Sequence, residues 1–344
     1  MPPGDDVQVC STRPELAAID RSASVFRRMV TAARASRPVE SSSPFPHLPA
    51  WAAGSDWALH AGDCLQRLAE LPGASVDLVF ADPPYFLSNG GFTCHAGRRA
   101  PVGKGAWDAS RGIEEDHRFT RAWIEACGRV LKPTGSLWVS GTQHVIFSAG
   151  FALQTLGWRL LNTVTWFKPN ASPNLSCRYF THSSEILIWA APRRPGRLQH
   201  VFDYPRMKVE NGGKQMRDVW ALPRPGDEEL DADGQGRIWT LTSPRQDEKA
   251  HGKHPTQKPV ALLRRIIEAT SPEGGLVLDP FSGSGTTGVA ALRLRRQFLG
   301  IEQDPTWLAL ARARLQAESD GASPVDAERF GPRRSRSPRG MRRC

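Results

Sequence analysis

One stretch, LVLDPFSGSGTTGVAALRL, limits this chain more than any other. A short apolar strand runs into a glycine-broken turn and leaves it as an apolar helix. Gly283, Gly285 and Gly288 form G-x-G-x-x-G, and Glu302 follows at the end of the next strand signal. Such a unit needs a parallel sheet with helices on its faces, because a crossover helix must return the chain to start the next parallel strand. Its glycines let the backbone pass close to a ligand, and the helix N-terminus offers unpaired N–H groups and partial positive charge. An acid closing the second strand accepts hydrogen bonds from ribose hydroxyls. Adenosine-containing cofactors fit that description. A phosphate-cradling loop would need Lys and then Ser or Thr after its last glycine, whereas Val289 and Ala290 stand there. A nicotinamide site shares glycines and acid, and a plain glycine-rich turn shares the glycines alone. Asp279, at the strand end and suited to an ammonium, and the lack of a second nucleotide half favour S-adenosylmethionine.

The same alternation extends along the chain. Strand signals fall at Val76–Phe80, Ser136–Ser140, Leu160–Phe167, Glu185–Ala190, Leu276–Leu278 and Phe298–Glu302. Helix signals fall at His117–Leu131, Pro259–Thr270, Thr286–Arg295 and Pro305–Glu318. Within Pro259–Thr270, Val260, Leu263, Ile266 and Ile267 share a face, while Arg264 and Arg265 point elsewhere. The expected class is α/β, a Rossmann-like sheet with helices on both faces. Its folded domain is expected over residues 51–192 and 254–318. The polar stretch 193–253 breaks the rhythm with the acidic run Asp227–Asp233 and short strand-like pieces such as Arg237–Leu241; it reads as a small recognition insertion. Residues 1–50, rich in Ser, Pro and Ala, and the basic end 319–344 are expected to be mostly unstructured.

A second motif, SVDLVFADPPYFL, carries the chemistry. Asp82, Pro83, Pro84 and Tyr85 follow a buried strand at its carboxyl end, where ligands bind in open α/β sheets. Prolines fix φ and supply no N–H, so the turn is stiff and its carbonyls are free to accept. An exocyclic base amine is a poor nucleophile because its lone pair is delocalised into the ring. The Asp82 carboxylate and the Pro83 carbonyl can take its two N–H groups and leave the lone pair aimed at a sulfonium methyl. That is positioning and electrostatic preorganisation, with no covalent intermediate. Tyr85 offers an aromatic face for an extruded base.

From Trp57 to Glu318 the chain resembles the amino-methyltransferases that modify DNA bases. Their catalytic tetrapeptide matches Asp82–Tyr85, and their cofactor signature matches Asp279, Pro280, Phe281, Ser282, Gly283, Ser284 and Gly285. The catalytic motif precedes the cofactor motif, the permuted order called the β class. In glutamine methyltransferases of release factors the cofactor motif comes first, before Asn-Pro-Pro-Tyr. DPPYFLSNGGFTC, NLSCRYFTHSSEILIWA and KHPTQKP resemble the adenine enzymes of restriction-modification systems. The resemblance implies that Thr256 and Lys258 hold the cofactor's methionine end, that Asp63 lies near its adenine, and that Phe281 lends backbone and ring. Asp63 reads equally well as a turn residue after Gly62.

Charge agrees with a DNA substrate without locating it. The net charge is +10, and seven arginines against two acids after Gly321 put +5 of it in the tail. Residues 193–253 hold twelve Lys/Arg against ten Asp/Glu, so individual residues are better guides than the sum. Arg178, Arg206, Lys208, Lys214 and Arg217 are the expected DNA contacts, the last four flanking or lying in the glycine-broken MKVENGGKQMR. Ser88, Asn89, Gly90 and Gly91 are expected to close over the bound ligands. Six scattered cysteines show no metal-ligand spacing, no metal is expected, and they should be reduced. No apolar run or leader signals a membrane or export, so the cytoplasm is the expected compartment. By resemblance, a homodimer and a cognate restriction endonuclease are the protein partners to look for. Adenine N6 is the favoured target; cytosine N4 shares its chemistry, and a non-catalytic DNA-binding subunit would need neither Asp82 nor the glycine turn.

Overall fold

The computed structural model describes residues 50–88, 92–95, 98–101, 108–168, 171, 173–175, 177–220, 247–252 and 254–321. Residues 1–49, the glycines of the expected lid, the acidic run, Arg237–Leu241 and the arginine-rich tail lie outside them.

Strand periodicity of two places successive side chains on opposite faces, and the strand Val76–Ala81 (β3) obeys it from Leu78 onward, after a register shift between Val76 and Leu78. Leu78 and Phe80 join one apolar cluster, and Val76, Val79 and Ala81 join the other. The other strands are Ala52–Ala53 (β1), Trp57–Ala61 (β2), Phe92–His95 (β4), Arg98–Pro101 (β5), Leu131–Gly141 (β6), Trp158–Phe167 (β7), Ser184–Pro192 (β8), Val219–Trp220 (β9), Leu276–Asp279 (β10) and Gln297–Glu302 (β11). Nine of them form one sheet in the order β1-β2-β11-β10-β3-β6-β8-β7-β9. From β2 to β6 neighbours run parallel, and β8 runs antiparallel between β6 and β7. β4 and β5 pair separately.

Helices Cys64–Glu70 (α1), Ile113–Val130 (α2) and Gln143–Thr155 (α3) cover one face with Leu68, Trp123, Ile124, Ile146 and Leu153. Helices Val260–Thr270 (α5), Thr286–Arg293 (α6) and Pro305–Ser319 (α7) cover the other with Leu263, Ile267, Val289, Leu308 and Leu315. Thus β3 and β10 lie side by side, with Leu78 and Val79 opposite Val277 and Leu278, yet their following helices leave toward opposite faces. That is a topological switch point, the place where open α/β sheets bind their ligands. Asp77 ties the two strands at their other end: its carboxylate accepts from Leu276 N at 2.8 Å and from Lys132 Nζ at 2.7 Å.

The stretch 193–253 is partly built into this sheet. A short helix, Tyr204–Glu210 (α4), buries Met207, and β9 adds a ninth strand beside β7 through Thr165 and Trp166. Trp220 of β9 lies 5.7 Å from Trp138, and Trp138 stacks on Trp189 at 5.4 Å. Sequence patterns also missed α1 and α3. On α3 the exposed positions Phe147 and Phe151 are as apolar as the buried Ile146 and Leu153, which erases the polar face a helix signal needs.

Candidate active site

The turn after β3 is held from one side by a single acid. Pro83 and Pro84 are buried and donate nothing. The next N–H groups, those of Tyr85, Phe86 and Leu87, point at the Asp108 carboxylate at 2.8, 2.9 and 3.2 Å, and Ser88 Oγ donates to it at 2.9 Å. Asp108 has no exposed surface. Phe86 adopts φ 56°, the left-handed region that a bulky side chain enters only when held there. Such strain costs on the order of 1–3 kcal/mol, and the charge-assisted bonds to Asp108 offset it. Asp108 escaped the sequence reading because nothing in its own neighbourhood marks it; only the fold brings it to the turn.

The front of the turn meets buried charge. Lys258, from the segment before α5, donates to Asp82 Oδ2 at 2.6 Å and to Tyr85 OH at 3.2 Å. Tyr85 OH donates to Asp82 Oδ1 at 2.8 Å. Glu185, at the start of β8, lies 3.5 Å from Lys258 Nζ and pairs with Lys168. Two carboxylates and two ammoniums therefore balance in a largely dry site. Burial alone would lower the Lys258 pKa, but Asp82 and then Glu185 outweigh it and hold the ammonium well above its ordinary value. Glu185 is likewise held down at about 2 against its burial, by Lys258 and Lys168. Burial pushes the Tyr85 phenol up, and Asp82 adds to it, so the phenol stays protonated as a donor. Lys258, which the resemblance assigns to the cofactor's methionine end, reaches the Asp82 turn with its ammonium in this structure.

Next to this turn stands the glycine loop. Gly283 and Gly285 take φ 49° and 72°, and a Cβ on Gly288 would lie 2.5 Å from the Phe298 ring, so the third glycine serves helix-on-sheet packing. Asp279 ends β10 with Oδ1 accepting from Phe281 N at 3.0 Å and Oδ2 from Thr287 Oγ1 at 2.5 Å. Burial lifts its pKa to about 7, with the charges of Asp82 and Glu302 adding to that. Glu302, ending β11, accepts from Gly283 N at 2.8 Å and from Gln303 N and Asp304 N, both at 2.9 Å. Among the described residues three donors reach its carboxylate, which leaves one of its four lone-pair sites for a hydroxyl. Ser282 Oγ is buried and makes no hydrogen bond among the described residues. Ser284 faces α7 instead: Arg314 donates to its carbonyl at 2.7 Å and its hydroxyl at 3.0 Å. Asp63 caps α1 through Leu65 N and Gln66 N at 3.0 and 3.1 Å, next to the end of β11. Thr256 Oγ1 lies 3.3 Å from His254 Nδ1, and His254 sits edge-on to Trp307 at 4.3 Å and against the Gly283 backbone.

An aromatic row joins the two loops. Phe119 of α2 meets Phe86 at 6.4 Å and Phe281 at 6.3 Å, and Phe281 meets Trp123 at 5.5 Å. Residues 76–313, which contain both loops, match the N6_N4_Mtase family, described as DNA methylase. The chain belongs to this family. The methylase is 46% identical over 258 residues to Type II methyltransferase M2.DpnII of Streptococcus pneumoniae, over 75% of this chain and 89% of that one. To M2.MboI of Moraxella bovis it is 43% identical over 256 residues, 74% and 86% of the two chains. Its fold matches the cytosine-N4-specific PvuII DNA methyltransferase at a TM-score of 0.57, 18% identity, over 77% and 91% of the chains. It also matches the M1.HpyAVI–SAM complex at 0.50, 23% identity, over 75% and 98%. The methylase is an enzyme acting on DNA.

The five expected DNA contacts are all exposed but not gathered together. Arg178 lies in the β7–β8 connection at the catalytic end, beside Tyr179 and Phe180, which are 61% and 96% exposed. Arg217 lies just before β9 on the sheet edge, and Lys214 lies between it and α4. Arg206 and Lys208 sit on α4, at the far end of α5: Asp203 N donates to Ala269 O at 2.8 Å, and Arg206 pairs with Glu268 at 2.8 Å. From Val260, two residues after Lys258, helix α5 reaches Glu268 over about 12 Å along its axis. Among the described residues, no group of acids, histidines and cysteines could hold a metal ion and no helix is long and apolar enough to cross a membrane. Cys64 is a core thiol, which burial pushes up to about 12.

Proposed function

We propose that the methylase transfers a methyl group from S-adenosylmethionine to the N6 amine of adenine in double-stranded DNA, with the target base swung out of the helix. The observation that carries this reading is the adjacency of the Asp82 turn and the Gly283–Gly285 turn at the carboxyl ends of paired strands β3 and β10. The residues present suit the cofactor: Asp279 for the ammonium, the glycine turn for close backbone approach, Glu302 for the ribose, and Asp63 and Phe281 beside them. S-adenosylmethionine supplies an electrophilic methyl carbon on a sulfonium. Asp82 and the Pro83 carbonyl accept the amine's N–H bonds and hold its lone pair toward that carbon. Transfer would form the N–CH3 bond as the S–CH3 bond breaks to leave a thioether, and the methylated amine would then give up its extra proton to solvent. The low barrier comes from alignment and fixed dipoles in a site that largely excludes water.

Cytosine N4 is the second reading, because the amine chemistry is the same; Asp82 in the first position of the tetrapeptide and the KHPTQKP segment favour adenine. Residues around 193–253 other than Arg206 and Lys208 of α4, with Arg178 and its two exposed aromatic neighbours, are the proposed target-recognition surface, suited to phosphate contact and base stacking. A homodimer, a cognate endonuclease and action in the cytoplasm belong to the same proposal. Incubation with labelled S-adenosylmethionine and DNA, followed by digestion to nucleosides, should yield N6-methyladenine. Asp82→Ala should abolish transfer and leave cofactor affinity within about threefold, since Asp82 holds the base alone. Label in N4-methylcytosine selects the second reading, and full activity of Asp82→Ala rejects the proposed acceptor.

A further inference from the structure

Lys258 stands where the target base has to go. It covers Oδ2 of Asp82 at 2.6 Å, and its ammonium sits 5.4 Å from the centroid of the Tyr85 ring, the surface a flipped base would stack on. Tyr85 is only 7% exposed. An acceptor already neutralised by a lysine holds an amine N–H weakly, so the ammonium must withdraw before the base is seated. A buried ammonium cannot withdraw into an apolar wall, because an unpaired buried charge costs several kcal/mol. It needs a second acceptor within reach, and one is present. Glu185 Oε2 is buried and makes no hydrogen bond among the described residues, although Lys258 Nζ lies 3.5 Å from it. At that separation the contact is longer than an ordinary hydrogen bond; closing it to that length needs a shift of about 0.7 Å. Lys168 bonds the other oxygen, Oε1, and fixes the carboxylate so that Oε2 faces Lys258.

Resting on the methyl-transfer reading above, we propose that Lys258 is a movable counter-ion that shifts from Asp82 to Glu185 as the target base enters, and that Glu185 is the positioning residue that receives it. Net charge in the site stays constant through the shift, since one carboxylate–ammonium contact replaces another. The Asp82 contact lengthens from 2.6 Å toward about 3.3 Å as the Glu185 contact shortens, so Asp82 Oδ2 accepts an amine N–H more strongly when a base arrives.

The test uses the full chain, labelled S-adenosylmethionine and a DNA duplex that the wild type methylates, in single turnover. Glu185→Gln should slow methyl transfer about 10- to 100-fold, the size of one hydrogen bond to a charged group, with cofactor affinity within about twofold. In a Lys258→Met background, where no ammonium has to move, the same Glu185→Gln change should have no further effect on the residual rate. Because Glu185→Gln leaves Lys168 unpaired, the charge-balanced pair Lys168→Met with Glu185→Gln is measured alongside and should be as slow. Wild-type rates in both Glu185 variants, or an equal loss with and without Lys258, overturn the proposal. A wild type that transfers no label to DNA instead overturns the methyl-transfer reading, so the two failures are distinct.

Discussion

Replacing Asp279 with Asn should make the ligand-free methylase more stable at alkaline pH while removing its affinity for S-adenosylmethionine. Asp279 is buried at the end of β10, and its pKa is raised from 3.8 to about 7. The unfolded chain ionises this group near its ordinary value, whereas the folded chain resists. Its contribution to stability is therefore fully present below about pH 4 and is lost as pH rises through about 7. Three units at about 1.4 kcal/mol each make roughly 4 kcal/mol, constant above that range. Asp279→Asn keeps the geometry, because an amide can accept from Phe281 N with its oxygen and donate to the Thr287 hydroxyl with its nitrogen. It removes only the charge. Urea unfolding of both proteins at about pH 5 and pH 8 should show the wild type losing roughly 3 kcal/mol more than the variant between them. Titration calorimetry at pH 8 should show cofactor binding in the wild type alone. Parallel pH dependences would refute the account of Asp279 as a carboxylate buried at a cost to stability for the sake of an ammonium partner.

Other expectations test separate parts of the site. Asp108→Ala strands the N–H groups of Tyr85, Phe86 and Leu87 and should cost about 3–5 kcal/mol in chemical denaturation, with methyl transfer lost as the turn relaxes. Arg206→Ala breaks a half-exposed pair with Glu268 at the far end of α5, so it should cost under about 1 kcal/mol and leave DNA affinity unchanged in a filter-binding assay. Arg178→Ala and Arg217→Ala should each weaken DNA binding and lower the salt dependence by about one ion. Deleting the residues after Gly321 should flatten the salt dependence further while sequence preference is kept; an unchanged slope assigns the tail no part in binding.

Both loops were legible because each joins a rigid local pattern to a strand with an unambiguous period. Leu78–Ala81 alternates between two apolar faces, and both Val76–Ala81 and Leu276–Asp279 are buried throughout, so their ends could be placed within a residue. What the sequence hid was long-range. Asp108 meets Tyr85 across 23 residues and Lys258 meets Asp82 across 176, and no periodicity encodes such partners. Glu185 was read as the first residue of a strand, which says nothing about its inward side chain. Arg206 and Lys208 looked equivalent to Lys214 and Arg217 in a linear basic segment, until α4 carried them down the side of the sheet.

Phe119 has a pharmacological consequence. Its ring touches Phe86 in the Asp82 turn and Phe281 in the glycine loop, so under the proposed function the two binding steps share one wall. A small molecule wedged against that wall would displace both loops at once. Its inhibition would be mixed with respect to either substrate, and raising the concentration of one alone would not relieve it.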